Sequence, residues 1–308
     1  MIELERVTKR YGAMVAVDAV SLAIPTGAFC VLIGSSGAGK STTLRMINRL
    51  IAPSEGMIRI DGRDAASVKP EELRRRMGYV IQSIGLFPHW TVERNIGAVP
   101  ALLGWPAARI GDRVGELLSL LKLDPEAVRR KYPHQLSIGQ QQRIGIARAL
   151  AADPDLLLMD EPFGALDPIT RDALQAEIAR IHAASRKTIV FVTHDMDEAL
   201  KLATVVAIMD RGRLVQAGTP LELLTTPVND FVRDFVGRED LGMRLLSVEK
   251  VAQRLRAGET APGEPISAEA SLRQALSQMI ARGSDRIAVV DAAGRSRGVL
   301  HLADLVRQ

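Results

Sequence analysis

The stretch GSSGAGKS at residues 34–41 indicates the fold of this chain, because it matches the pattern GxxxxGK[ST] of a phosphate-binding loop. The apolar run 28–33 precedes it and predicts a strand, and the helical spacing of Leu44, Ile47 and Leu50 follows it. A strand, a glycine-rich loop and a helix in this order are the context that the motif requires. That context disfavours the alternative, a Gly/Ser turn before a helix. We therefore predict an α/β fold with a phosphate site after this strand.

The loop supplies groups that suit a polyphosphate. Its glycines let the backbone wrap around phosphate, so that successive N–H groups and the start of the following helix point at the anion. Lys40 is expected to reach the β- and γ-phosphates, and the Ser41 hydroxyl is expected to hold Mg²⁺. The predicted phosphate-binding residues are Gly34, Ser35, Ser36, Gly37, Ala38, Gly39, Lys40, Ser41 and Thr42.

Length and composition describe an ordinary globular chain. Its 308 residues suffice for about two domains, and 47% hydrophobic with 25% charged residues argues against a disordered or fibrous protein. The longest apolar runs, such as 28–33 and 205–209, are far shorter than the ~20 residues of a membrane-spanning helix. A single cysteine, Cys30, excludes an internal disulfide and a cysteine-rich metal site.

Charge and the first residues limit the partners and the compartment. Forty basic against 36 acidic residues give a net charge of +4, and the basic residues are scattered along the chain. This pattern, with only 4% aromatic residues, predicts no nucleic-acid partner. No apolar segment of a signal peptide follows the charged start MIELERVTKR, so we expect the protein to stay in the compartment where it is made.

Alternating strand and helix patterns extend to about residue 237. The apolar runs 28–33, 156–159, 188–193 and 205–209 are bounded by turn or polar residues, as buried strands of an α/β sheet are. Between about 86 and 150 strand patterns are absent and helical spacing takes their place. We predict a first domain over residues 1–237 with a helical subdomain at about 86–150.

The tail has a different character. The turn-rich segment 258–265 predicts a linker, which we extend to 238–265. The apolar spacing after Leu272 predicts an amphipathic helix, and two short strands (Ile287–Val290 and Gly298–Leu300) and a terminal helix follow. A small α/β module over 266–308 is therefore expected.

Acidic residues and a histidine follow two other predicted strands. Asp160, at the end of the run 156–159, is expected to help hold Mg²⁺. Glu161 is then placed to act as general base towards an attacking water. His194 ends the strand 188–193, at the sheet edge where α/β folds bind ligands, and we predict that it contacts the γ-phosphate. The alternative for His194 is a purely structural role.

These motifs together resemble the ATP-binding cassette (ABC) family. Residues 136–143, LSIGQQQR, look like the family signature, and a helix that begins at Ser137 would present N–H groups to an anion. In the family this motif binds the γ-phosphate held by the opposite protomer, which implies such a role for Ser137, Gly139 and Gln140. The alternative is an N-capped surface helix. Ile138 replaces the first glycine of LSGGQ, and we expect altered rate or affinity.

The same resemblance implies roles for further residues. Gln82 matches the Q-loop glutamine, with catalytic and metal-binding roles, and Asp167 matches the D-loop aspartate. His194 matches the switch histidine, and Tyr11 matches the aromatic residue that stacks on adenine. The implied fold is a P-loop NTPase cassette with a helical subdomain, its cofactors are ATP and Mg²⁺, and two copies would enclose two ATP molecules.

A closer resemblance is to the ATPase subunits of quaternary-amine importers, which carry glycine betaine, choline and related osmoprotectants. Residues 74–96, RRRMGYVIQSIGLFPHWTVERNI, and 160–172, DEPFGALDPITRD, carry it. The segment after Gln82 is where such subunits receive the coupling helix of the permease. For its aromatic residues, Phe87 to Trp90, the alternative is ordinary loop packing.

The tail resembles one cystathionine-β-synthase (CBS) repeat, over 266–305. Residues 298–304, GVLHLAD, look like its closing motif, in which an aspartate (here Asp304) can hold a ribose. His301 stands where Ser or Thr is usual, and a second repeat is missing. A regulatory role and a dimerisation or vestigial role stay open for this module.

The resemblance implies an ATPase on the cytoplasmic face of the cell membrane that powers import of a quaternary amine. Its partners would be a second copy, a membrane permease and, indirectly, a solute-binding protein. Two alternatives remain: a soluble ABC ATPase that acts on nucleic acid or ribosomes, and a nucleotide-sensing regulator whose cassette only binds.

Overall fold

Short apolar strands form the centre of the first part of the chain. The computed structural model describes residues 1–238 and 240–305, which divide into the units Met1–Ala217 and Gly218–Gln308. The strands of the first unit are β1 Ile2–Tyr11, β2 Met14–Ile24, β3 Phe29–Gly34, β4 Glu55–Ile60, β5 Arg63–Asp64, β6 Met77–Val80, β7 Leu156–Asp160, β8 Thr188–Thr193, β9 Val205–Asp210 and β10 Arg213–Gly218. The four strands predicted from apolar runs correspond to β3, β7, β8 and β9.

The helices of this unit all lie between these strands in the chain. They are α1 Lys40–Ile47, α2 Pro70–Arg75, α3 Val92–Ile96, α4 Ala98–Leu102, α5 Ala107–Leu120, α6 Pro125–Val128, α7 Ile138–Leu150, α8 Pro168–Ser185 and α9 Met196–Leu202. Helix α1 ends before Leu50, which the sequence pattern included, because Arg49 has a left-handed φ of 53°.

The main sheet has the order β10-β9-β3-β8-β7-β6, and β9, β3, β8, β7 and β6 pair in parallel. Every residue of β3, β7 and β8 is buried, which explains why these strands appear in the sequence as unbroken apolar runs. Because the strands are parallel, the residues that follow β3, β6, β7 and β8 lie at one edge of the sheet. This edge carries the candidate site.

Two smaller layers complete the first unit. A four-stranded sheet, β2-β1-β4-β5, contributes residues such as Leu4 and Ile24 to the same apolar core as Leu32 and Leu158 of the main sheet. Helices α3 to α7 lie between β6 and β7 in the chain, and α7 packs against β6, α3 and α5.

The second unit contains a three-stranded sheet. Its elements are α10 Pro220–Thr225, α11 Asp230–Phe235, α12 Leu241–Val248, β11 Ile266–Ser267, α13 Leu272–Arg282, β12 Arg286–Val290 and β13 Ser296–His301. Strand β12 pairs in parallel with β11 and antiparallel with β13. Its core includes Leu272, Ala275 and Met279 of α13, at the predicted amphipathic spacing.

Two features of this unit differ from the sequence pattern. Leu302–Leu305 form a 3₁₀ turn where a terminal helix is expected, and the rest of that segment, 306–308, lies outside the described residues. Helix α12 lies inside the range 238–265 that we predicted as linker, because only 258–265 has turn-forming composition.

The division of the structure after Ala217 precedes our predicted boundary at 237, because α10 packs against α12. The bounds 1–237, 238–265 and 266–308 stay a prediction.

Candidate nucleotide site

The phosphate-binding loop joins β3 to α1 at the carboxyl edge of the main sheet. Gly34 and Gly39 both require glycine, since a Cβ would lie 2.0 Å from the Met209 carbonyl oxygen and 2.5 Å from that of Ala16, respectively. Gly39 precedes α1 with a left-handed φ of 94°. The loop therefore turns tightly enough to present the first N–H groups of α1 at the sheet edge.

Lys40 is held close to this loop. Its Nζ donates to the carbonyl oxygens of Gly34 and Ser35, both at 2.8 Å. Burial lowers the pKa of Lys40, while the nearby carboxylates of Glu161 and Asp160 act in the opposite direction. A buried ammonium group beside backbone N–H groups suits a ligand with several negative charges.

Ser41 and Asp160 form the oxygen pair that the sequence predicted. The Ser41 hydroxyl donates to Asp160 Oδ1 at 2.7 Å, and Asp160 is buried at the end of β7. Burial is the main cause of the raised pKa of Asp160. No group of three or more His, Cys, Asp or Glu side chains in the described part of the chain forms a metal cage. One hydroxyl and one carboxylate fit Mg²⁺ that arrives with a nucleotide, because Mg²⁺ keeps waters and phosphate oxygens as its other ligands.

Glu161 lies next along the chain, in a strained turn. Its φ is 44°, a left-handed conformation that costs a non-glycine residue about 1–2 kcal/mol. The turn brings its carboxylate to Gln82, whose Nε2 donates to Glu161 Oε2 at 3.3 Å, and to His194, whose Nδ1 lies 3.6 Å from the same oxygen. Such strain at one carboxylate is typical of functional sites.

The remaining loop residues are placed as follows. Ser35 donates through Oγ to Asp210 Oδ1 at 3.3 Å. Ser36 and Gly37 are exposed, Ala38 is buried, and Thr42 is half-buried in the first turn of α1. The structure thus gathers the predicted residues of the loop, Gln82, Asp160, Glu161 and His194 at one sheet edge.

The signature segment begins helix α7. The Ser137 hydroxyl accepts from the backbone N–H of Gln140 at 3.2 Å, and the Gln140 side-chain oxygen accepts from the Ser137 N–H at 3.0 Å. This is a capping box, which is the structural alternative that the sequence left open. It holds the serine and the helix start in one geometry, and a role towards a second copy stays a prediction.

A hollow of about 460 Å³ separates this helix start from the D-loop. Ser137, Gly139 and Asp167 contribute to its lining. Gly139 lies close to α8, since a Cβ there would lie 2.9 Å from Cγ2 of Thr170 and the threonine side chain would have to shift. Ile138 is 54% exposed, so its larger side chain fits without displacing a neighbour. Asp167 caps helix α8 by accepting from the Thr170 N–H at 3.0 Å.

Tyr11 lies apart from these groups, at the end of β1 in the antiparallel sheet. Its ring is 46% exposed and the Lys9 ammonium lies 5.2 Å from its centroid. An exposed aromatic ring on a strand end is available for stacking, and the stacking role stays a prediction.

Sequence reasoning did not identify a buried polar cluster behind His194. Thr193 donates through Oγ1 to Glu198 Oε2 at 2.6 Å, and Gln175 Nε2 donates to Glu198 Oε1 at 3.2 Å. Burial raises the pKa of Glu198. A signal was present, because Glu198 shares helix α9 with the buried residues Met196, Ala199 and Leu200, and a carboxylate on an apolar face requires partners.

The loop after Gln82 is held in a defined shape. Asn95, fully buried in α3, donates to the carbonyl oxygens of Phe87, Trp90 and Thr91 at 3.1 Å and accepts from the Phe87 N–H at 2.8 Å. The rings of Phe87 and Trp90 are 4.3 Å apart, and Phe87 is partly exposed. Phe87 packs against Trp90 and is also partly exposed, so both loop packing and a contact with the permease have support.

In the second unit, Asp304 is engaged by an arginine. Arg256 donates from Nε and from one terminal nitrogen to its two carboxylate oxygens, both at 2.8 Å. Asp304 is buried, and His301 Nε2 lies 2.6 Å from Glu259 Oε2. The two residues singled out in the tail therefore both contact the segment 256–259.

Comparisons with known proteins agree with this geometry. A family model described as "ABC transporter" matches residues 17–164, and one described as "CBS domain" matches residues 264–308. The chain is 56% identical over 306 residues, 99% of each chain, to the glycine betaine uptake system ATP-binding protein YehX of Escherichia coli (strain K12). It is 50% identical to the glycine betaine/carnitine/choline transport ATP-binding protein OpuCA of Bacillus subtilis (strain 168), over 97% of this chain and 77% of that one.

Solved structures show the same cassette. The dimeric structure of a post-hydrolysis state of the cassette MJ0796 bound to ADP and Pi matches with a TM-score of 0.65 and 33% identity, over 71% of this chain and 98% of that one. CbiO1 of Clostridium perfringens, part of the ABC transporter complex cbiONQ, matches with a TM-score of 0.67 and 27% identity, over 78% and 93%.

The chain therefore belongs to the ABC transporter family, as an ATP-binding subunit with a C-terminal CBS domain. It is an ATPase whose hydrolysis of ATP is coupled to transport, as the resemblance predicted. Within residues 1–238 and 240–305, no helix has both the length and the apolar character needed to span a membrane.

Proposed function

We propose that two copies of this chain hydrolyse Mg²⁺-ATP in shared sites and thereby drive import of a quaternary amine such as glycine betaine or choline. The observation that supports the reaction best is the group of Ser41, Asp160 and Glu161 beside the phosphate-binding loop. The solute class rests on the names of relatives that match nearly the whole chain.

We assign nucleotide binding to the phosphate-binding loop and to the pair of oxygen ligands, Ser41 and Asp160. Lys40 and the N–H groups that begin α1 hold the β- and γ-phosphates. Ser41 and Asp160 would hold Mg²⁺, with Gln82 as a further oxygen ligand, and the ion would supply positive charge beside the phosphate oxygens. Tyr11 stacks on the adenine ring.

Glu161 accepts the proton of the attacking water, and this is the general-base step. Gln82 donates to its carboxylate and keeps it oriented, as the 3.3 Å contact indicates. His194, beside the same carboxylate, donates to the γ-phosphate and stabilises the charge of the transition state. Together these three residues act at one end of the phosphate chain.

The signature and the D-loop complete the site of a second copy. The N–H groups at Gly139 and the Ser137 hydroxyl face a hollow that Asp167 also lines, and this polar surface suits the γ-phosphate of the partner. Gln140 keeps Ser137 in place through the capping box. A relative, MJ0796, is described as a dimer with ADP and Pi.

Mixing two inactive variants tests the shared site. Lys40→Ala loses the loop of one subunit and Ser137→Arg loses the signature of the other, so each heterodimer keeps one intact composite site. ATPase activity in the mixture above that of either parent is expected. Heterodimers that form, as shown by two affinity tags, without such activity would mean that the signature does not act in the partner's site.

We propose that the loop 87–91, fixed by Asn95, receives the permease. Partly exposed Phe87 and Trp90 suit an apolar helix of a partner, since aromatic residues are enriched at interfaces. The subunit then lies at the cytoplasmic face of the membrane, and a solute-binding protein acts from the other side. We propose no nucleic-acid partner, since the basic residues are scattered along the sequence.

Uptake tests the assignment directly. The chain is reconstituted in liposomes with candidate quaternary-amine permease and solute-binding subunits, and ATP-dependent uptake of labelled glycine betaine and choline is measured. Lys40→Ala should abolish uptake. ATP turnover that responds to nucleic acid and not to these subunits would favour the first alternative, and ATP binding without turnover would favour the nucleotide-sensing regulator.

We propose that the CBS domain regulates transport, and the alternative is a dimerisation or vestigial role. Asp304 pairs with Arg256 and His301 contacts Glu259, so polar contacts connect this domain to the segment before it. Transport by full-length protein and by a chain that ends at Gly237 is compared across a salt series and with added adenine nucleotide. Identical curves would leave the domain with a dimerisation or vestigial role.

A further inference from the structure

We propose that Glu198 is a positioning residue that holds the backbone on both sides of His194 in its working geometry. The inference deepens the proposed function, since it rests on the role assigned there to His194. It concerns three residues that neither the motifs nor the comparisons assign: Thr193, Glu198 and Gln175.

The contacts of the His194 side chain do not fix its orientation. That side chain is 67% exposed, and its contact with Glu161 is 3.6 Å, longer than a hydrogen bond. Strand β8 ends at Thr193, so the sheet no longer fixes the chain at residue 194. The direction of the imidazole therefore depends on how the backbone is held at Thr193 and Asp195.

The Thr193 hydroxyl holds that backbone, because it accepts one hydrogen bond and donates another. Its hydroxyl oxygen accepts from the Asp195 N–H at 3.0 Å and donates its proton to Glu198 Oε2 at 2.6 Å. Because the proton goes to Glu198, the oxygen lone pairs are left to accept from Asp195. Removal of the carboxylate would free the hydroxyl to rotate and would loosen the turn at His194.

Glu198 is in turn fixed by its surroundings. It is buried in α9, and its other carboxylate oxygen accepts from Gln175 of α8 at 3.2 Å. Lys201 Nζ donates to the Gln175 side-chain oxygen at 2.9 Å, which orients the amide so that its N–H groups face Glu198. Lys201, Gln175, Glu198 and Thr193 thus form one chain of hydrogen bonds.

The buried Glu198 carboxylate is better explained by a role in the site than by a contribution to the stability of the fold. A buried carboxylate costs free energy unless it is fully satisfied, and an apolar residue on α9 would avoid that cost. Glu198 lines a hollow of about 40 Å³ together with His194 and Glu161, so its group is continuous with the catalytic side chains. A displacement of about 1 Å in such a site can reduce a rate by ~10²-fold.

The first test separates rate from binding. Glu198→Ala should lower kcat for ATP by about tenfold or more and leave the Kd for ATP within about twofold, because the phosphate loop is untouched. Thr193→Val should behave alike, and Thr193→Ser, which keeps the hydroxyl, should retain near-normal kcat. Glu249→Gln, which alters a largely buried carboxylate paired with Arg254, serves as the control with unchanged kcat. Normal kcat in folded Glu198→Ala and Thr193→Val would overturn the proposal.

The second test asks whether Glu198 acts through His194. If it does, the double variant His194→Ala/Glu198→Ala is no slower than His194→Ala alone. Additive losses would overturn the proposal and leave Glu198 with an independent role. A His194→Ala variant with full activity would instead remove the proposed role of His194, so the two failures can be told apart.

A third readout does not depend on activity. The chain contains five histidines, so labelled imidazole groups give five NMR signals, and His194→Ala identifies the signal of residue 194. Glu198→Ala should shift or broaden that signal at pH 7. Unchanged position and width of the His194 signal in a folded Glu198→Ala protein would overturn the proposal.

Discussion

Glu161 has the left-handed backbone conformation that side chains rarely adopt, and its carboxylate is the group to which both Gln82 and His194 are directed. The neighbouring strand β8 holds this backbone, since the Glu161 N–H donates to the Val192 carbonyl oxygen at 3.0 Å. At the residue scale, one backbone angle therefore sets the geometry of the candidate base.

Substitution Glu161→Gln tests this carboxylate. The amide keeps the shape and removes the base, so ATP should still bind while hydrolysis falls by ~10²-fold or more and ATP-bound dimers accumulate. Single-turnover hydrolysis and size-exclusion chromatography with ATP measure both effects. Turnover close to that of the unmodified protein would exclude Glu161 as general base.

Cys30 gives a second prediction at this scale. It is fully buried in β3 between β8 and β9, and burial raises the pKa of its thiol to about 12. At pH 8 the thiolate fraction is then on the order of 10⁻⁴, so a thiol reagent should not modify the native chain within an hour. The same reagent should modify one thiol per chain in urea, and rapid native modification would contradict the burial.

At the scale of elements, the contact between β6 and α7 links the main sheet to the helical subdomain. Gly78 makes this contact possible, because a Cβ there would lie 2.3 Å from the Ala149 carbonyl oxygen and 2.5 Å from Leu157. Helix α7 carries the signature at its other end, and it also reaches the loop after Gln82, since Arg148 donates to the Gly85 carbonyl oxygen at 2.7 Å. One helix thus connects the proposed shared site with the proposed permease surface.

Gly78→Ala should destabilise the protein by about 1–3 kcal/mol, because a backbone oxygen in a packed interface cannot move freely. The matched control is Gly115→Ala on α5, where no atom lies within 4 Å of the added methyl group and a gain of about 0.4–1 kcal/mol is expected. Urea unfolding of the three proteins measures both. Equal midpoints for Gly78→Ala and Gly115→Ala would contradict the close approach.

At the scale of the whole molecule, the candidate nucleotide residues all lie in the unit Met1–Ala217, whereas the CBS domain belongs to Gly218–Gln308. Each unit has its own apolar core: Leu32 and Leu158 belong to the first, and Leu272 and Met279 to the second. Separate cores predict that nucleotide binding does not require the tail.

A chain that ends at Gly237 should therefore bind ATP with a Kd within about twofold of the full-length value. Calorimetric titration measures the Kd, and far-UV circular dichroism checks that the shortened chain is folded. A folded truncation that has lost ATP binding would mean that the tail takes part in the nucleotide site.

Local patterns predicted much of this structure. The unbroken apolar runs of β3, β7, β8 and β9 identify buried parallel strands, and the glycine-rich loop identifies the anion site, because both signals depend on neighbours in the chain. The same kind of pattern predicted helix α13 and the strands β12 and β13 of the tail, whereas the CBS repeat was implied by a resemblance. Helix α12 was missed, because the linker predicted from the turn residues at 258–265 was extended over 238–265.

Spacing along the chain predicts the glycine-rich loop, the buried strands and the residue types that end each strand, and the resemblance carried by these motifs predicts the family. Which of these residues meet depends on the tertiary structure. Gln82, Glu161 and His194 come together because parallel strands deliver their carboxyl ends to one edge, and Gly139 lies close to Thr170 because α7 and α8 approach each other there. Gln175, which donates to Glu198, and Arg256, which donates to Asp304, lie 23 and 48 residues away from these carboxylates in the chain. Contacts of this kind depend on packing in three dimensions, for which a single sequence carries no local signal.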